Sequence, residues 1–95
     1  MAQIEFYKEN RKSPVLEWYK KVNQLIQVEF TAMIELLAEQ GHKLQRPHSA
    51  PLRDKINELR IITSRGQFRI LYFYHNKEAI IMTHAIAKKD KSCSK

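Results

Sequence analysis

The spacing of apolar positions changes along this chain, and each spacing predicts a different element. Ile4 and Phe6 alternate with polar neighbours over Ile4–Tyr7, the period of a short strand. After a polar stretch, Ser13-Pro14 marks a helix start. Serine caps the free amides, and proline at the first helical position gives up no needed hydrogen bond. Glu17 in the first turn suits the positive end of the helix dipole. From Pro14 to Gln40 apolar residues recur at helical spacing, from Val15, Trp18 and Tyr19 through Ile26 and Phe30 to Leu37. One helix of that length is long for a small domain, so the break is placed at Val22-Asn23-Gln24. The two halves are expected to form a helical hairpin, closed by Gly41 as a C-cap.

Pro47 and Pro51 predict an irregular segment over His42–Asp54. Three strand signals follow. Ile56–Ile62 ends at the turn Thr63-Ser64-Arg65-Gly66. Gln67–Tyr74 puts Phe68, Ile70, Tyr72 and Tyr74 on one face and Arg69, Leu71 and Phe73 on the other. After the turn His75–Glu78, Ala79–Ala87 is apolar on both faces, as a covered central strand would be. The tail from Lys88 is polar and basic. The expected fold class is α+β: an N-terminal strand, a helical hairpin, then a three-stranded antiparallel meander in one sheet. The helices bury their stripe on one sheet face in a two-layer sandwich, and the other face is open to a partner.

Composition narrows the class. A chain of 95 residues makes a single domain over 1–95, and 43% hydrophobic with 28% charged residues is ordinary for a globular protein. No apolar run approaches the ~18 residues of a membrane helix. Met1–Asn10 lacks the features of a signal peptide, so a cytosolic protein is expected. One cysteine, Cys93, excludes a disulfide framework or a cysteine-built zinc site. The net charge of +7 is uneven: residues 41–95 hold twelve basic and four acidic side chains, while residues 1–40 are nearly balanced. Such a basic half points to a polyanionic partner, nucleic acid first.

Two glycines cannot build a phosphate loop, and there is no His-x-x-x-His pair or acidic cluster for a metal. Neither a cofactor nor a metal is expected, and no Ser-His-Asp set assembles from Ser13, Ser49 or Ser64. The remaining functional groups are Glu58, Arg60, Arg69, His84, Lys88 and Lys89, with Lys43, Arg46, Arg53, Lys55, Arg65 and Lys91 as further contacts for an RNA backbone. Glu58 and Arg60 point to one face of a strand, and Arg69 lies across the hairpin. Guanidinium and ammonium groups can hold a phosphodiester and stabilise its transition state. A carboxylate or the His84 imidazole can move the proton of a ribose 2′-hydroxyl. The same residues also suit plain structural roles: Glu58 in a cross-strand ion pair, His84 as a satisfied strand histidine, and Lys88-Lys89 as a solvated charge run. Spacing alone stops at a basic α+β domain that binds an anion.

Three segments say more when taken together. Glu58-Leu59-Arg60, then Gly66-Gln67-Phe68-Arg69-Ile70-Leu71-Tyr72-Phe73, then His84-Ala85-Ile86-Ala87-Lys88-Lys89 resemble the core of the RelE/ParE toxin superfamily. The likeness is to its HigB-type, phage-derived RelE-like branch. Ser13-Pro14-Val15 with Glu17-Trp18, and Gly41 with Leu44 and Pro47, match the same branch, so the resemblance spans about residues 4–92. It implies a RelE-like fold and the toxin of a type II toxin–antitoxin pair. Such a toxin is a ribosome-dependent mRNA endonuclease (an mRNA interferase) that cuts in the ribosomal A site and inhibits translation. The reaction implied is metal-independent attack of a 2′-hydroxyl on the adjacent phosphate.

The implied partners are a small helix-turn-helix antitoxin, small-subunit rRNA and mRNA, with no membrane. On this resemblance Arg69 stabilises the scissile phosphate, Arg60, Lys88 and Lys89 bind phosphate or rRNA, and Glu58 and His84 are proton-transfer candidates. The branch also implies a C-terminal amphipathic helix after Lys88-Lys89. This chain stops at Ser92–Lys95, where that helix begins in the branch, so the helix is expected to be absent or truncated. Two alternatives remain: a ParE-like inhibitor of DNA gyrase, and a truncated, inactive antitoxin-binding module. Fold does not separate them.

Overall fold

Two side chains set where the helices begin. In the computed structural model, which describes residues 2–44, 48–64, 66–76 and 78–88, the Ser13 Oγ accepts from the Leu16 amide at 3.2 Å. The Asn23 Oδ1 accepts from the Ile26 amide at 3.0 Å. These caps start α1 (Pro14–Lys21) and α2 (Gln24–Gln40), and between them Val22 is extended. The break therefore falls where the spacing places it, because asparagine satisfies the free amides of a new helix better than it continues an old one. Gly41 ends α2 at φ +54°, a conformation that suits glycine, and donates its amide to the Leu37 carbonyl. A single 3-10 turn, Gly41–Lys43, follows.

The strands are β1 (Gln3–Phe6), β2 (Ser49–Arg53), β3 (Ile56–Thr63), β4 (Gly66–Asn76) and β5 (Ala79–Lys88). They form one sheet in the order β1-β5-β4-β3-β2, with β1 parallel to β5 and the other pairs antiparallel. The α+β class holds, with two helices and five strands where four strands were expected.

The additional strand corrects the reading of His42–Asp54 as irregular. Pro51 lies within β2, on the edge of the sheet, where a missing amide breaks no ladder to an outer neighbour. Pairing shifts between Pro51 and Arg53, the irregularity expected beside a proline. Asp54 and Lys55, both at positive φ, join β2 to β3 as a two-residue turn. Pro47 lies outside the described residues.

A second correction concerns β5. It is interior within the sheet but covered on one face only, because both helices lie on the same side. Ile86 is 47% exposed and His84 is exposed on the other.

The core forms where Val15, Phe30, Met33 and Leu37 of the helices meet Leu59, Ile61, Ile70, Tyr72, Ile80 and Met82 of the sheet. α1 lies against β5 and α2 against β3. Trp18 joins them, its ring 5.3 Å edge-on from Phe30 and 5.4 Å from Phe68. Among the described residues no helix is long and apolar enough to cross a membrane.

Candidate functional site

Strand alternation sends the neighbours of the core residues to the sheet's other face. On β3, Leu59 and Ile61 are buried under α2, so Glu58, Arg60 and Ile62 point away from the helices. Register then builds rows across this open face. Arg60 pairs with Arg69, which pairs with Ile86; Glu58 pairs with Leu71, which pairs with His84; Gln67 pairs with Lys88.

Glu58 is 2% exposed, yet it sits on the face without helices. Burying a carboxylate costs several kcal/mol unless charged partners compensate. Here two do. The Nε and Nη2 of Arg60 donate to Glu58 Oε1 at 3.2 and 3.1 Å. Arg69 Nε lies 3.2 Å from Oε2, close enough to pair but outside hydrogen-bond alignment, so Oε2 is buried without a hydrogen bond. The carboxylate thus sits between two guanidinium groups, and the trio carries a net positive charge. Both arginine side chains remain about one-third exposed, at 29% and 35%. Beside them lies a hollow of about 110 Å³, lined by Arg60, Ile62, Gln67, Phe68 and Arg69.

Chemically this arrangement can hold an anion, with both guanidiniums positioned beforehand. Glu58 engages the Nε side of each guanidinium, and the Arg69 Nη groups make no hydrogen bond among the described residues. Planar donors held this way bind a phosphate with little ordering cost. Glu58 itself is too buried to meet a substrate. His84 is exposed, on the neighbouring strand and diagonal to Arg69, within roughly 8 Å of it. Leu71 separates His84 from Glu58. Lys88 opposite Gln67 brings its backbone to the rim of the hollow.

The other basic candidates are elsewhere. Lys43 is exposed on the 3-10 turn, and Arg53 and Lys55 are exposed at the β2–β3 turn. Arg53 opposes Ile56, roughly 13 Å along β3 from Arg60. Arg46, Arg65, Lys89 and Lys91 lie outside the described residues. Among the described residues no group of His, Cys, Asp or Glu could hold a metal.

Sequence reasoning missed a second site on the helix side. Beyond the end of α2 a cleft of about 630 Å³ opens, with His42, Ser49, Lys55, Asn57, Tyr72 and Tyr74 among its lining. The Ser49 and Tyr72 hydroxyls share a 2.5 Å hydrogen bond, and the His42 ring stacks on Tyr74 with centroids 3.8 Å apart. Burial raises the Tyr72 phenol, opposed by its bond to Ser49. Burial first, and the Tyr72 hydroxyl second, push Tyr74 up to about 12. The only signal in the sequence was a pair of tyrosines within a stripe otherwise filled by Phe68 and Ile70.

The chain matches the family model described as "Phage derived protein Gp49-like (DUF891)" over residues 17–95. No curated protein matches it.

Proposed function

The chain belongs to the phage-derived Gp49-like family, which is related to RelE-like toxins, and from that premise we propose that it is the toxin of a type II toxin–antitoxin pair. Its activity is ribosome-dependent cleavage of mRNA in the A site, on a RelE-like, HigB-type domain. A small helix-turn-helix antitoxin neutralises it. The observation that carries this reading is the buried Glu58 holding Arg60 and Arg69 together on the open sheet face. Apolar residues stabilise such a position as well as an ion cluster does, so stability alone gives little reason to keep three charges there.

In the proposed reaction Arg69 and Arg60 bind the scissile phosphate through their outer edges. The ribose 2′-oxygen attacks phosphorus, forming the O2′–P bond as the P–O5′ bond breaks. A 2′,3′-cyclic phosphate and a 5′-hydroxyl result. His84 takes the 2′-hydroxyl proton, and Lys88 or Lys89 donates one to the leaving oxygen. The guanidiniums stabilise the added charge on the pentacovalent phosphate. Glu58 is a positioning residue.

Purified protein added to a cell-free bacterial translation reaction is expected to cut messages only while ribosomes translate, with ends mapped by primer extension. Arg69→Ala should lower cutting by about 100-fold or more while leaving the circular dichroism spectrum unchanged. Undiminished cutting by that variant removes Arg69 from the mechanism. Accumulation of gyrase–DNA cleavage complexes without RNA cuts would establish the gyrase reading instead.

A further inference from the structure

The helix-side cleft lies on the opposite sheet face from the arginine pair, and its chemistry is different. Its size, about 630 Å³, is that of sites that enclose small organic ligands. Among the described residues no carboxylate lines it. Lys55, exposed and without an ion pair among the described residues, supplies a cation at the rim. His42 is exposed, and the stacked Tyr74 beneath sets its ring as a flat platform. Asn57 presents a carboxamide with no hydrogen-bond partner among the described residues, one donor and one acceptor side by side. The Ser49–Tyr72 hydroxyl pair lies on the same wall.

A platform for a planar ring, an amide able to pair with a ring edge, and a cation form the recognition set for one unstacked nucleotide. We propose that this cleft binds a single unpaired nucleotide, its base stacked on His42 and hydrogen-bonded by Asn57, its phosphate at Lys55. The site is independent of the reaction assigned to the open face.

The test uses the full, isotopically labelled chain without ribosomes. Each of the four nucleoside 5′-monophosphates is titrated while backbone amide shifts are followed by NMR, with inorganic phosphate as a separate arm. Saturable shifts are expected at His42, Ser49, Lys55, Asn57 and Tyr74 with at least one nucleotide, and not with phosphate alone. His42→Ala, at an exposed position, should weaken binding about tenfold, the loss of one stacking contact. No saturable shift with any nucleotide overturns the proposal. So does the same pattern from phosphate alone, a response centred on Arg60 and Arg69, or a His42→Ala variant that binds equally well. Because no cleavage is measured, failure of the endonuclease reading leaves this result standing.

Discussion

The two faces of the sheet bury polar groups by opposite means. On the open face Glu58 is buried as an ion, compensated by two guanidiniums that stay partly in water. On the helix face Tyr72 is buried as a neutral phenol, satisfied by one serine hydroxyl. An ion needs its partners, and removing one leaves the remaining charge less compensated. A hydroxyl pair can be replaced as a unit with little loss. The open face therefore has stability tied to its charges, while the helix face has stability tied to packing.

The largest effect follows from removing the ion. Glu58→Ala leaves Arg60 and Arg69 facing each other across one strand spacing. The cost should be about 3 kcal/mol, the low end for breaking a buried pair, because both arginines can turn toward water. Urea unfolding measures it, and a loss below about 1 kcal/mol would erase the contrast between the faces. Next comes Tyr72→Phe, which strands the Ser49 hydroxyl and should cost about 1 kcal/mol. The double variant Ser49→Ala/Tyr72→Phe should lie closer to wild type than the two single losses added. Strict additivity in that cycle would mean the hydroxyls are not coupled.

The smallest effect is alkaline. Tyr74 has its pKa raised from an ordinary value of 10.0 to about 12, so between those values the folded chain holds a proton the unfolded chain has lost. The stability linked to that phenol is full below about pH 10 and is lost as pH rises toward about 12. Tyr74→Phe should flatten this part of the stability curve.

Much of this was legible along the chain. Ser13-Pro14 and Asn23 are local signals, and capping acts within a few residues. Arg69 among Phe68, Ile70 and Tyr72 was assigned to the opposite face correctly, since strand alternation needs no knowledge of the fold. β2 was not legible. Pro51 forbids a central strand and permits an edge one, and which strand is an edge is settled only when the sheet assembles. The one-sided covering of β5 was hidden for a related reason: apolar alternation does not say on which side the helices will lie.

The amino-acid sequence by itself determined both helices, four of the five strands, their order and the face on which Glu58, Arg60 and Arg69 stand, because these follow from spacing and caps a few residues long. Only the tertiary structure decided that Glu58 is buried between Arg60 and Arg69, as β3 and β4 bring the arginines into register. It also decided that Ser49 meets Tyr72 across 23 residues, and that the helix layer ends short of the cleft beside them. Burial and long-range contact depend on how the layers stack, and stacking is a property of the whole chain.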